Sequence, residues 1–221
     1  MNSVIITADG SHSLASADFK ENYHSTNGAV DESRHVYIEA GLNYLLAQNK
    51  RGIKILEIGF GTGLNAFLTI IEAQKKNLKI QYCAIEAFPI EEKIFNALNY
   101  PEVLNSSEEL FRQLHRQNTS PNYSQITQNF SFSKTISKIE YVELKEKFDL
   151  IYYDAFAPTT QPELWTEKIF QKMYDCLHSG GILVTYCAKG SFRRALKSAG
   201  FVVEKLPGAT GKREMTRATH V

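Results

Sequence analysis

The chain has 221 residues, with 25 Lys+Arg against 24 Asp+Glu, a formal net charge of +1, 43% hydrophobic residues and 22% charged ones. These values fit one globular domain with a full core, and they exclude wholesale disorder, collagen-like repeats and a uniformly basic nucleic-acid coat. No run of about 18 apolar residues is present to span a membrane, and Met1 to Gly10 lacks the cationic-then-apolar pattern of a secretion signal. Cys83, Cys176 and Cys187 are an odd number at wide spacing, which suits neither a disulfide framework nor a CxxC metal knuckle. A reduced, cytoplasmic protein is expected.

Charge is distributed unevenly. Lys189, Arg193, Arg194, Lys197, Lys205, Lys212, Arg213 and Arg217 face only Glu204 and Glu214 within one segment, so a basic C-terminal stretch sits on a mildly acidic body. It reads either as a solvated face or as the contact for an anionic partner.

In chain order, Val4–Ile6 and Ser13–Ala15 flank Asp9-Gly10 as a short hairpin. Val36 to Leu46 has helical spacing, stopped by Lys50-Arg51-Gly52. Ile53–Ile58 is a compact strand, followed by a glycine-rich turn and a helix from Leu64 to Lys76. A second strand, Ile80–Ile85, ends at Glu86. Helical material runs from Ile90 to Leu114 with a break at Pro101. Asn118–Asn122 reads as a surface loop, and Phe130 to Ile139 as one or two strands. Phe148–Tyr153 is a buried strand that exits at Asp154. A helix is expected over Pro162–Leu177, stopped by Ser179-Gly180-Gly181, then a strand Ile182–Tyr186 and a helix Gly190–Ser198. Phe201–Lys205 and Met215–His220 are the last strands, joined by too short a loop for a helical crossover, and should pair antiparallel. Alternation of strands and helices predicts a doubly wound α/β fold with a mostly parallel, seven-stranded sheet and an antiparallel last strand. One domain is expected over 1–221, with an N-terminal extension over about 1–50.

Glu57-Ile58-Gly59-Phe60-Gly61-Thr62-Gly63-Leu64-Asn65 follows a strand and opens a helix. Its glycines permit a tight turn and close approach of a ligand, and Glu86 at the next strand end can accept hydrogen bonds from two ribose hydroxyls. Leu64 stands where a dinucleotide fingerprint needs glycine, and Glu57 is unwelcome beside a pyrophosphate. The E-x-G-x-G-x-G form resembles class I S-adenosylmethionine-dependent methyltransferases, in which a carboxylate faces a cationic cofactor. Asp154-Ala155-Phe156-Ala157-Pro158 leaves a strand at the same sheet edge, so Glu57, Glu86 and Asp154 should converge on one crevice. A carboxylate there can hold an amine and take its proton; Phe156 either packs or stacks on a base. The histidines show no ligand spacing, so no metal site is expected.

Asp154-Ala-Phe-Ala-Pro-x-x-Gln-Pro-Glu-Leu-Trp-Thr166 resembles the methyltransferase domain of the tRNA 5-methylaminomethyl-2-thiouridine biosynthesis proteins. So do Gly180-Gly-x-Leu-Val-Thr-Tyr186, Arg193-Arg194, Gly200-Phe201, Gly211-Lys-Arg-Glu-Met215 and, upstream, Tyr23-His-Ser25, Gly28-Ala29, Glu32 and Gly41-Leu42-Asn43. The resemblance implies S-adenosyl-L-methionine as methyl donor and the 5-aminomethyl group of a tRNA wobble uridine as acceptor, giving 5-methylaminomethyl(-2-thio)uridine. It carries over Asp154 as base or amine-orienting group, and Glu57, Gly59, Gly61, Gly63, Asn65, Glu86, Tyr23 and Ser25 as cofactor contacts. Phe156, Lys212, Arg213 and Arg193 become substrate contacts. Many relatives carry a second, flavin-dependent domain; this chain ends at Val221, so no flavin step is expected and separate enzymes would supply the aminomethyl precursor. The region around Phe132-Ser-Lys134-Thr135 lacks the carboxylate that often meets adenine. Two other readings share the crevice: a small-molecule N-methyltransferase or aminopropyl-transferring enzyme, and a non-catalytic cofactor- or RNA-binding module.

Overall fold

The computed structural model describes residues 2–117 and 119–221. A small antiparallel sheet comes first, from β1 (Ser3–Ile6), β2 (His12–Ser16) and β3 (Glu21–Asn22). The chain then enters one continuous helical passage: α1 (Ala29–Ser33), a ten-residue π-helix (Arg34–Asn43) and α2 (Tyr44–Ala47). Gly41 lets the π-helix lie flat on the main sheet, since a Cβ there would sit 3.1 Å from Val184 and 3.2 Å from Tyr152.

The main sheet comprises β4 (Gly52–Ile58), β5 (Lys79–Glu86), β6 (Ser120–Thr127), β7 (Phe130–Ile136), β8 (Phe148–Tyr153), β9 (Leu177–Thr185), β10 (Val202–Pro207) and β11 (Glu214–Thr219). Its order is β10-β11-β9-β8-β4-β5-β7-β6. The pairs β4–β5, β4–β8, β5–β7 and β8–β9 are parallel, and β11 is antiparallel to both β9 and β10. Strand order reverses at β4, so a crevice opens beyond the carboxyl ends of β4, β5 and β8.

Helices cover both faces. Odd positions of β4, Ile53 and Ile55, face α3 (Leu64–Lys76), the π-helix and α6 (Glu108–Arg116), in a core with Phe67, Ile70, Tyr82, Phe132, Leu150 and Tyr152. Even positions, Leu56 and Ile58, face α7 (Glu167–Asp175) and α8 (Gly190–Ser198), with Ile151, Tyr153, Phe170, Phe192 and Leu196. This period of two on a strand buried on both sides explains its near-continuous apolar sequence. Short helices α4 (Glu92–Phe95) and α5 (Tyr100–Val103) precede α6, and Pro101 starts α5 rather than merely breaking a helix.

Three expectations shift. The main sheet has an eighth strand, β6, at its edge, which takes in residues 120–122 of the loop expected over 118–122; Asn118 lies outside the described residues. The helix expected over Pro162–Leu177 is a 3-10 turn (Pro162–Trp165) and then α7, restarted by Thr166, whose hydroxyl accepts the Ile169 N–H at 3.4 Å. The glycines read as a helix stop lie within β9, where the Gly180 N–H donates to the His220 carbonyl and the His220 N–H to that of Gly181. No described helix is long and apolar enough to cross a membrane.

Candidate active site

Backbone bonds lace the strand exits together. The Gly59 N–H donates to the Ile85 carbonyl (3.0 Å), the Asp154 N–H to Ile58 (2.9 Å) and the Ser137 N–H to Glu86 (2.9 Å). Each tie fixes the residue just past a strand end, so Gly59, Glu86 and Asp154 share one rim. Gly59 and Gly61 have φ of +87° and +49°. A Cβ at Gly59 would lie 2.5 Å from the Asp154 carbonyl oxygen, and one at Gly61 3.1 Å from the Tyr23 ring. The loop therefore has space for backbone only.

A cavity of about 370 Å³ opens over this rim. Its wall includes Tyr23, Ser25, Glu32, Gly59, Gly61, Asn65, Glu86, Asp154, Phe156 and Lys212. Glu57, Gly63, Arg193 and Arg213 do not line it.

Asp154 is gripped on both oxygens. The Tyr37 hydroxyl donates to Oδ1 at 2.6 Å and the Asn65 Nδ2–H to Oδ2 at 2.8 Å. Burial pushes its pKa up to about 6 against these two bonds, which favour the charged form. The same Asn65 amide donates to Glu57 Oε1 at 3.0 Å, while Glu57 Oε2 and Asn65 Oδ1 are buried without hydrogen-bond partners among the described residues. Glu57 is wholly buried, and that burial holds its carboxyl well above the usual range. It lies behind Asn65 because it continues the face of Ile53 and Ile55, beneath the start of α3. Asn65, not Glu57, lines the cavity.

Glu86 Oε2 accepts the Gly61 N–H at 2.7 Å and Oε1 the Phe88 N–H at 2.6 Å, leaving one lone pair on each oxygen. Burial raises its pKa, and the backbone donors work against that. On the opposite wall, Glu32 accepts the Ser25 N–H on Oε2 (2.8 Å) and pairs with Lys212 Nζ through Oε1 (2.5 Å). Lys212 lies 4.4 Å from the centre of the Tyr186 ring, so this cation belongs to the cavity wall.

Aromatic rings frame the mouth. Phe156 stacks on Phe19 with centroids 4.6 Å apart and meets the edge of Tyr23 at 5.0 Å; Phe19 meets Phe88 at 5.3 Å. Burial raises the Tyr23 hydroxyl to about 12, so it stays protonated. The Phe156 backbone is pinned by Trp165 Nε1, which donates to its carbonyl at 2.8 Å.

Two substrate residues expected from the sequence lie elsewhere. Arg193 is buried and spends its guanidinium on Thr216 Oγ1 (2.9 Å), Glu214 Oε2 (2.6 Å) and the Met215 carbonyl (3.0 Å). Arg213 is exposed on the β10–β11 turn. Conversely, Tyr37 escapes sequence reading because it sits in the apolar run Val36-Tyr37-Ile38, which signals only a buried helix face.

The residues present suit a nucleoside that carries cationic groups. The glycine loop gives a backbone-only approach, Glu86 offers two acceptors, and Asp154 and Glu32 place carboxylates on the wall.

A family model described as S-adenosyl-L-methionine-dependent methyltransferase matches residues 102–221. The tRNA 5-methylaminomethyl-2-thiouridine biosynthesis bifunctional protein MnmC of Idiomarina loihiensis is 31% identical over 218 residues, which cover 90% of this chain and 36% of that protein. The protein of the same name from Aromatoleum aromaticum is 30% identical over 218 residues, 93% of this chain and 33% of its own. The chain thus spans about a third of the length of these curated relatives. The crystal structure of MNMC2 from Aquifex aeolicus superposes with a TM-score of 0.80 at 26% identity, covering 99% of this chain and 70% of that one. Spermidine synthase from Thermotoga maritima shares the fold, with a TM-score of 0.59 at 15% identity, over 96% of this chain and 69% of its own.

Proposed function

The chain belongs to the S-adenosyl-L-methionine-dependent methyltransferases, and from that premise we propose that it methylates the 5-aminomethyl group of a tRNA wobble uridine, giving 5-methylaminomethyl(-2-thio)uridine. The observation that carries the reading is Asp154, a carboxylate held on both oxygens at the strand exit beside the glycine loop. The relatives' names supply the acceptor class.

When bound, S-adenosyl-L-methionine supplies an electrophilic methyl group on a sulfonium sulfur. Gly59, Gly61, Asn65 and Glu86 would hold it, with Tyr23 and Ser25 closing from the N-terminal segment; Glu57 and Gly63 would act from behind, by fixing Asn65 and the loop. Asp154 accepts an N–H of the acceptor amine and turns its lone pair away from the carboxylate. As the nitrogen gains the methyl group, Asp154 takes the proton that the nitrogen sheds, and Tyr37 and Asn65 keep the receiving carboxylate from rotating. Most of the acceleration is then proximity and orientation, with proton transfer added. Phe156 offers a ring face to the uracil.

With this reading go a single domain over 1–221 whose first 50 or so residues cap the site, a cytoplasmic setting, no resident metal, and a separate activity that makes the aminomethyl group. The test is nucleoside mass spectrometry of tRNA bearing 5-aminomethyluridine after incubation with methyl-labelled cofactor. Label in 5-methylaminomethyluridine, lost in Asp154→Asn, supports the assignment. No label despite measurable cofactor binding removes it.

A further inference from the structure

We propose that the groove between α8 and β10 is the track for the RNA backbone next to the reacting nucleotide, with Arg194, Lys197 and Lys205 as its phosphate contacts and Lys189 at its rim; this rests on the RNA reading given above.

The basic C-terminal segment resolves into two classes of cation. Three are already paired: Arg193 with Glu214 at 2.6 Å, Arg217 with Glu204 at 2.8 Å and Lys212 with Glu32 at 2.5 Å. Those pairs occupy both carboxylates of the segment. Arg193 and Arg217 are largely buried in doing so, which makes them part of the β10–β11 edge rather than of a ligand site. Lys189, Arg194, Lys197, Lys205 and Arg213 are all exposed and have no ion pair among the described residues. Of the cations in the sequence motifs, Arg193 and Lys212 are thus occupied, and the free positive charge lies on Arg213 in the β10–β11 turn and, for the rest, on α8, on Lys189 just before it and on β10.

Its position is fixed by sheet register. Lys205 pairs with Thr216, Thr216 with Thr185, and Tyr152 with Val184, so Lys205, Thr216, Thr185 and Tyr153 form one row across four strands. Asp154 follows Tyr153 directly. Lys205 thus stands level with the rim of the candidate site, three strand spacings or about 14 Å to one side. A nucleotide placed with its base at Asp154 would lead its strand along this rim. Arg194, Lys197 and Lys205 line one shallow groove of about 390 Å³, and the carboxylate among its lining residues, Glu214, is held by Arg193. The remaining walls are Ala188, Gly190 and Val203, none of them an aromatic anchor of the kind that dominates protein–protein interfaces. Flexible cations over small residues suit a repeating anion better than an acidic protein face.

The test uses the full chain and unmodified tRNA transcript in a salt series. The front triple, Arg194→Gln, Lys197→Gln and Lys205→Gln, is compared with a rear triple of equal charge change, Arg51→Gln, Lys75→Gln and Lys79→Gln, at the opposite end of the strands. The front triple is expected to weaken binding at least about tenfold and to flatten the slope of log affinity against log salt by about 2, roughly 0.7 for each phosphate no longer neutralised. The rear triple should match wild type, and cofactor binding by calorimetry should be unchanged in both. Equal behaviour of the two triples, with wild type still methylating tRNA, overturns the track alone. Wild type that binds no RNA overturns the functional reading and the track with it. Loss of binding to immobilised polyglutamate with unchanged tRNA affinity would assign the face to an acidic protein and also overturns the proposal.

Discussion

Tyr37 and Asp154, 117 positions apart, are joined by a 2.6 Å hydrogen bond from the phenol to Oδ1. The donor rides on the π-helix and the acceptor leaves β8, so the bond ties the N-terminal helical passage to the candidate catalytic carboxylate. A π-turn closes its backbone hydrogen bonds from i to i+5, one residue wider than in an α-helix, and such turns recur at functional sites. The Tyr37 ring is fixed by Tyr152, with centroids 5.2 Å apart.

Tyr37→Phe should leave the ring in place and remove one donor that favours ionised Asp154. Its pKa then rises further above about 6, and the acid limb of kcat/KM moves upward by about one pH unit. At pH 7 kcat/KM should then fall about twofold, and about tenfold well below pH 6, while cofactor affinity by calorimetry holds. A pH profile identical to wild type would show that the bond does not tune the carboxylate.

Asp154 carries a stability cost whose sign follows from its raised pKa. Between the ordinary value of 3.8 and about 6 the folded chain binds more protons at this group than the unfolded chain does. This group's contribution therefore falls as pH rises through that window, and the cost is complete above it. Asp154→Asn should abolish turnover by a factor of about 10² or more. It should melt no lower than wild type above neutral pH, with a gain of up to about 3 kcal/mol. A lower melting temperature for the variant at that pH would contradict the burial argument.

Glu57 separates two readings of one motif. As a wholly buried carboxyl with its pKa pushed well up by that burial, it orients Asn65 from behind by accepting the amide N–H. Glu57→Gln keeps the shape and an acceptor, and should cost less than about 1 kcal/mol and little cofactor affinity. Glu57→Ala leaves a cavity and an unpaired amide, and should cost about 2–4 kcal/mol. If Gln were as damaging as Ala in the binding assay, a charged Glu57 would be required instead.

The parallel sheet, its switch point and the rim carrying Gly59, Glu86 and Asp154 were legible because each leaves a local mark: an apolar run, a glycine turn, a polar residue at a strand end. β6 was not, because Thr119-Ser120-Pro121 carries turn chemistry while the strand is held by its pairing with β7. Placing Glu57 behind Asn65 needed the face parity of β4 together with the position of α3, and neither is in the motif. Tyr37 and the Lys212–Glu32 pair join residues more than a hundred positions apart, so no spacing rule could reveal them. The charge run was visible as a sum, but which arginines are buried depends on sheet edges that form only in the fold.

Arg193 gives the sharpest contrast between sequence motif and structure. It resembles a substrate contact in the chain, yet its guanidinium is enclosed by Thr216, Glu214 and the Met215 carbonyl. Removing it takes donors from the buried Thr216 hydroxyl and the Met215 carbonyl, while the partly exposed Glu214 carboxylate returns to water, so Arg193→Ala should cost about 2–3 kcal/mol. Arg193→Lys cannot restore the fork of three donor directions and should recover only part of that. Denaturant titration measures both. The neighbouring Arg194→Ala is exposed and should stay within about 0.5 kcal/mol of wild type. Equal stability of the two alanine variants would mean that Arg193 is not the clamp of the β10–β11 edge.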